Sequence, residues 1–333
     1  MERGFLWQFR MRCGFLGKYN SKMDNKLDRY IDFIGESFHG KAFQLKEITE
    51  GLSYDIKVRC RCDGIDYIIK IIEGQNENMV INPRRILWYQ ALSAVHSENR
   101  NILAPAWYGV CNQHIVTRTE WIHGIQLNDL FDKNPELMIP YGEKVGKLLK
   151  QLHTSQTIRD SLSRNQVSIA RTLASVRQMK EEIIKNGIRF QEMDQAIGYL
   201  EENESLLSDS RLGILHNDVR PQNLIAEGDS IYLFDFDSGR ISDCYGDFTY
   251  LSALSEEKYR PFSKALIHSY FDSDIPDDFW KVNLFFCITK LMDYAIYKYQ
   301  TKGTGVVRQA ENMISQFDHY MRAAPVWWDS DKA

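Results

Sequence analysis

The hydrophobic pattern of this 333-residue chain changes period along its length, and that change restricts the fold more than any single motif. Up to about residue 122 it is written in short strand-like runs, "AFQLKEIT", "YDIKVRCRC" and "DYIIKII", then "APAWYGV" and "QHIVTRTEWI", broken by turn residues such as "EGLS" and "DGI". Two segments there repeat at helical spacing instead: "PRRILWYQALSAV" (83–95), and the stretch from Met23 in which Leu27, Tyr30, Ile31 and Ile34 recur. From "YGEKVGKLLKQLH" (141–153) onward the spacing is helical, through amphipathic stretches over 165–186 and 189–207 and several helices from 246 to the end. A β-meander carrying a helix, followed by a larger helical part, predicts an α+β chain of two lobes: 23–120, a connector at 121–124, and 125–333. Residues 1–22 have only "FLW" as an apolar run and are set aside as an upstream extension or a disordered tail.

Bulk properties narrow the partners. Lys+Arg 41 against Asp+Glu 45 gives a net charge of −4, which offers no footprint for nucleic acid or an anionic membrane. No apolar run reaches the roughly 18 residues needed to span a bilayer. The six cysteines lack the spacing of a secreted disulfide framework; Cys60 and Cys62 would share one face of a strand, but two thiols with no second pair make a poor zinc site. The expectation is a cytoplasmic protein with reduced thiols that acts on small molecules.

One stretch interrupts the helical part. "LHNDVRPQNLIAEGDSIYLFDFD" (215–237) places His216, Asp218, Arg220, Asn223, Asp235 and Asp237 around an apolar run. It is either a solvated hairpin or a site that handles a metal and a phosphate. Asp218 and Asn223, five apart, can point from one tight loop to a common centre, and a strand pair at 224–226 and 231–234 would return Asp235 to the same place. Asn223 and Asp235 are hard oxygen donors of the kind Mg²⁺ accepts.

These residues resemble the catalytic loop and metal aspartate of the aminoglycoside phosphotransferase and choline kinase group, relatives of the protein kinases. The resemblance extends over residues 42 to about 320 and implies a protein-kinase-like fold, with a small antiparallel β N-lobe and a larger, mainly helical C-lobe. It implies ATP and Mg²⁺ as cofactors and transfer of the γ-phosphate to a hydroxyl. By this resemblance "ITEGLSYDIKV" is the turn over the phosphates, with Gly51 and Ser53 as donors, and Lys70 in "DYIIKII" holds the α- and β-phosphates. "VTRTEWIHGIQL" matches the hinge, where backbone groups of Glu120, Trp121 and Ile122 would meet the adenine edge. Asp218 is the expected base, and Arg220 a cation for the transferring phosphoryl group. Asn223, Asp235 and Asp237 are the expected metal ligands. His216 and Asp247, the latter in "YGDFTYLSAL", are expected to brace the loop, and His153 in "GKLLKQLHTS" to pack.

The chain departs from the family pattern at one point. The helix after Lys70 offers Arg84, Arg85 and Gln90 where a glutamate partner for the lysine is expected, with Glu73 or Glu77 as substitutes, so a nucleotide-binding pseudokinase or scaffold stays open. The acceptor is equally open: an aminoglycoside, another antibiotic, an amino alcohol or a sugar-like metabolite. "ALIHSYFDSDIPDDFW" (265–280) carries four aspartates that suit either a pocket for a cation or the start of a helix. Phe279, Trp280, Phe285, Phe286, Tyr294 and Tyr297 suit either an ammonium cage or a core.

Overall fold

Alternation in "IKVRCRC" puts Val58, Cys60 and Cys62 on one face of a strand, and that face is the core of the first unit. The structure, a computed structural model, describes residues 7–9, 24–48, 55–72, 83–164, 167–301 and 313–329. The chain divides into two units, Met1–Ser97 with Leu103–His123 and Glu98–Ile102 with Gly124–Ala333. The first is built on β1 (Trp7–Phe9), β2 (Phe43–Glu47), β3 (Ile56–Cys62), β4 (Ile65–Ile72), β5 (Trp107–Cys111) and β6 (His114–Glu120). They form one antiparallel sheet in the order β1-β2-β3-β4-β6-β5.

Helix α1 (Asp24–Glu36) and the turn that follows it lay Tyr30, Ile34 and Phe38 on this sheet, against Leu45, Cys60, Ile69, Ile71 and Val116. The Tyr30 hydroxyl meets His114 Nδ1 at 2.8 Å, which ties the helix to β6. Helix α2 (Pro83–Glu98) adds Trp88, Leu92 and Val95 to the buried residues. Between β3 and β4 the chain reverses on Asp63 and Gly64, both at positive φ (50° and 80°), the backbone that a two-residue Asp-Gly hairpin demands. Cys60 and Cys62 are free thiols inside the core, where they fill space, and burial pushes the Cys60 thiol up to about 12.

One difference from the sequence expectation lies at the start. Residues 7–9, within the segment set aside, pair antiparallel with 43–45 and extend the sheet edge. A three-residue strand is too short to display a period of two, so its pattern was invisible.

The second unit contains α3 (Leu127–Lys133), α4 (Met138–Thr154), α5 (Gln156–Arg164), α6 (Ala170–Lys185), α7 (Met193–Asn203), α8 (Arg260–Tyr270) and α9 (Phe279–Thr301). Two small sheets are set among them, β7 (Ile125–Gln126) with β9 (Leu224–Glu227) and β10 (Ser230–Leu233), and β8 (Leu212–Leu215) with β11 (Arg240–Asp243). The interruption of the helical pattern is thus wider than 215–237, because β8 and β11 flank it. Among the described residues no helix is long and apolar enough to cross a membrane.

Helices α4 and α8 approach closely at two glycines one turn apart. A Cβ at Gly142 would stand 2.6 Å from the Phe262 carbonyl oxygen, and one at Gly146 would stand 2.4 Å from that of Leu266. Backbone cannot yield as a side-chain tip can. Gly146→Ala is therefore expected to cost about 1–3 kcal/mol through overpacking, more than alanine's helix propensity returns. Differential scanning fluorimetry should show a melting temperature lower by roughly 3–10 °C; an unchanged value would mean that the two helices separate freely.

Candidate active site

Strand β8 delivers the chain into a loop, residues 216–223, which ends in a 3₁₀ turn at Pro221–Asn223. Strands β9 and β10 follow as a hairpin in the register Leu224↔Leu233. The Phe234 amide donates to the Asn223 carbonyl at 3.2 Å, so Asp235, the next residue, returns beside Asn223 as the spacing predicts. Beyond a 3₁₀ turn at Phe236–Ser238, β11 runs back along β8 and closes the unit.

Two non-glycine residues here adopt left-handed backbone, Asn217 (φ 62°) and Asp235 (φ 63°). Asn and Asp bear this conformation better than most residues, yet it still costs energy and persists only where neighbours enforce it. The enforcement is visible. The buried Asp247 carboxylate accepts the His216 amide at 2.8 Å, the Asn217 amide, and His153 Nε2 at 2.9 Å. His153 Nδ1 in turn meets the Tyr270 hydroxyl at 2.9 Å. A carboxylate withdrawn from water and given three donors offsets its desolvation and fixes the loop backbone from below. Asp247 and His216 have the bracing geometry expected of them. His153 does more than pack, since it joins Asp247 to α8; its partners lie 94 and 117 residues away, beyond any local pattern.

His216 itself accepts the Asp218 amide at Nδ1 (3.3 Å) and donates from Nε2 to the Phe234 carbonyl (2.7 Å). Those partners place its proton on Nε2 and make it a strut between the two halves of the site. The Asn217 side chain donates to the Ser238 carbonyl at 3.0 Å, a second strut.

On this frame the Asp218 carboxylate accepts from Asn223 Nδ2 at 2.8 Å and from the Arg220 guanidinium at 3.1 Å. Arg220 also lies 5.3 Å from the centre of the Tyr250 ring. Asn223 is buried, Asp237 is partly exposed and Asp235 is open to water. Among the described residues no three His, Cys, Asp or Glu converge as a metal-holding group. The donor set present is one amide and two carboxylates, all hard oxygens, which fits a Mg²⁺ that keeps waters and phosphate oxygens in its other positions.

In the first unit Lys70 is buried on β4, with its Nζ 3.2 Å from Asp55 Oδ2. The partner is unexpected. Lys57 faces Lys70 across the β3–β4 pair, and Asp55 precedes Lys57 by two residues, so it lies on the same side of the pleat and reaches Lys70 diagonally. Gly51, Ser53, Glu73 and Glu77 lie outside the described residues. At the end of β6 the Trp121 amide donates to the Asp66 carbonyl at 2.9 Å, so its N–H is engaged within the sheet. Backbone groups alternate sides along a strand, so those of Glu120 turn away from β4.

The acidic stretch 265–280 and the aromatic set resolve differently. Asp272 pairs with Lys150 at 2.6 Å and Asp278 with Arg211 at 3.0 Å, so two of the four acids are neutralised within the fold. Phe279, Phe285 and Phe286 are fully buried core residues and do not form a cage.

A family model described as the phosphotransferase enzyme family matches residues 45–279. Among solved structures, the aminoglycoside phosphotransferase APH(4)-Ia is similar with a TM-score of 0.59 at 10% identity, covering 87% of this chain and 98% of that one. The ADP-bound aminoglycoside phosphotransferase APH(2'')-Ib aligns with a TM-score of 0.56 at 15% identity, over 88% and 97%. A choline/ethanolamine kinase family protein from Mesorhizobium loti aligns with a TM-score of 0.56 at 13% identity, over 83% and 90%. The likeness at this identity is one of fold, the α+β protein-kinase-like fold of two lobes, and the family match spans well over half the sequence: this chain belongs to the phosphotransferase enzyme family.

Proposed function

We propose that the chain is a small-molecule kinase that transfers the γ-phosphoryl group of ATP to a hydroxyl, with Mg²⁺ as its metal. The observation that carries this is Asp218, a carboxylate held at 2.8 Å by Asn223 and at 3.1 Å by Arg220, on a loop pinned by a buried aspartate. The acceptor oxygen bonds to phosphorus as the bond to ADP breaks, and the hydroxyl proton passes to Asp218. Arg220 stands beside the base, where its charge offsets that of the phosphoryl group in transfer. Asn223, Asp235 and Asp237 are the residues that would hold Mg²⁺, whose chemistry when bound is to neutralise and orient phosphate oxygens. Lys70 takes the α- and β-phosphates, the Glu120 carbonyl and Ile122 amide take the adenine edge, and Gly51 and Ser53 cover the phosphates. A donor such as ATP and a set of free thiols fit a cytoplasmic protein.

The alternative of a nucleotide-binding scaffold without turnover rested on a lysine lacking its acid. Asp55 at 3.2 Å supplies that acid and favours turnover. Asp55→Asn is expected to raise the KM for ATP about 10–100-fold, the worth of a charge-assisted contact, and to leave the KM for the acceptor unchanged. Equal changes in both constants would assign Asp55 a purely structural part. The function itself is tested by incubating the protein with Mg-ATP and pooled aminoglycosides, amino alcohols, sugars and hydroxy acids, and reading products by mass spectrometry. An acceptor that gains one phosphate supports the kinase; Mg-ATP binding with no product in any pool supports the scaffold.

A further inference from the structure

Helix α9 is enclosed on all sides from Val282 to Thr289, and beyond that stretch it meets water again from Lys290 onward. At that point Phe286, Lys290, Asp293, Tyr294 and Tyr297 form one stripe, at intervals of three and four residues. The guanidinium of Arg240, the first residue of β11, lies 5.5 Å from the centre of the Phe286 ring, and Lys290 Nζ lies 5.6 Å from that of Tyr294. The stripe lies within electrostatic reach of the base, and Arg240 pairs across its strand with Leu215, the last residue before the 216–223 loop. Asp218 and Arg220 act electrostatically on both Lys290 and Tyr294, and Asp293 on Arg240.

Arg220 is matched by Asp218 at 3.1 Å. The acids that act on Arg240 and Lys290 are Asp293 first, then Asp247 on the former and Asp218 on the latter, and these last two carboxylates already accept other donors, Asp247 from His216 and His153 and Asp218 from Asn223 and Arg220. Arg240 Nε is buried with no hydrogen-bond partner, a charged donor left without an acceptor. Burial, and then the neighbouring Arg240, push Lys290 below its ordinary range, so a bound anion would relieve both cations at once. Two of the four acids of 265–280 that suit a polycation are engaged within the fold, Asp272 with Lys150 and Asp278 with Arg211.

Resting on the kinase reading above, we propose that the acceptor is an anionic hydroxy compound, whose carboxylate or phosphate group is held by Arg240 and Lys290 while its hydroxyl lies at Asp218. Arg240 gives the forked donor that suits planar or tetrahedral oxyanions, and Lys290 a point charge at the mouth of the site. Tyr250 and Tyr294 offer the ring faces between which the carbon skeleton lies.

The test uses the full chain with a non-hydrolysable Mg-ATP analogue and a matched set of probes: glucose, glucosamine, gluconate and glucose 6-phosphate, with glycerol, ethanolamine, glycerate and glycerol phosphate as a smaller series. Binding is read by isothermal titration calorimetry, and transfer from Mg-ATP is followed in parallel. An acid of either series should bind at least about tenfold tighter than its amino counterpart, and Arg240→Gln and Lys290→Met should each weaken it by about tenfold or more. Carboxylate and phosphate members show which oxyanion is preferred. Lys281→Met, on the opposite face of α9, should leave acid binding unchanged, and Lys290→Met serves alone if Arg240→Gln does not fold. Tighter binding of the amino probes, binding of neither kind, or acid binding indifferent to both substitutions would overturn the proposal. Transfer to an ammonium-bearing acceptor would overturn it while leaving the kinase reading intact; absence of Mg-ATP binding would remove the kinase reading itself.

Discussion

Asp218→Asn lowers kcat for phosphoryl transfer by about 10²- to 10⁴-fold, the span that a positioned general base contributes, and leaves the fold intact. The substitution is nearly isosteric. The amide oxygen of the new side chain keeps one acceptor for Asn223 Nδ2 or for Arg220, the two donors that hold the carboxylate at 2.8 and 3.1 Å. What it loses is the capacity to take a proton and the negative charge that restrains Arg220. The KM for ATP should move little, because the nucleotide contacts proposed lie on other residues. Steady-state kinetics with the acceptor found by mass spectrometry, and circular dichroism on the same samples, give both quantities. A variant with full kcat would exclude Asp218 as the base.

Asp247→Ala should cost more in stability than any other single change in the second unit. Its carboxylate accepts from the backbone of His216 and Asn217 and from the His153 ring, and it is 2% exposed. Removing it strands three buried donors at once, and losing one partner of a buried polar network costs about 3–5 kcal/mol. A fall in melting temperature on the order of 10 °C follows for a unit of this size. Asn217 would also be released from its left-handed backbone, so the surviving folded protein should have lost phosphoryl transfer. Asp247→Asn retains one acceptor but turns an amide N–H toward another donor, and should fall between the two. Wild-type melting in the alanine variant would mean that the loop is held by other contacts.

Much of this site was legible because its parts are close in sequence. Asp218, Asn223 and Asp235 are separated by a turn and one hairpin, and hairpin geometry alone returns the third to the first two. The helices at 83–98, 138–154 and 24–36 announced themselves by long runs of a single period. Other features depend on pairing across distance. Asp55 reaches Lys70 only because β3 and β4 register Lys57 opposite Lys70, a fact of two strands and not of either. His153 joins the brace from 94 residues away. The Trp121 amide is engaged by Asp66 through an extension of the β4–β6 ladder by one residue, a pairing no local pattern displays. Arg240 and Lys290 carried no motif at all, since the stripe on α9 is defined by which face the core leaves uncovered.

Helix α9 lives under two different constraints along its length. Its first three turns are clamped: Asn283 donates to the Tyr245 carbonyl at 3.3 Å and accepts from Ser252 at 2.6 Å, and its neighbours on every side are core. In its later turns one face, with Lys290, Asp293, Tyr294 and Tyr297, is open to water in whole or in part, while the catalytic loop is moored through Asp247, His153 and α8. Substitutions at 290, 293, 294 and 297 therefore fall on a surface that mutation can rewrite without unsettling the machinery that moves the phosphoryl group. A lineage carrying this architecture can change what it phosphorylates by drift along half of one helix, and a laboratory library confined to those four positions explores new acceptors at little risk to folding.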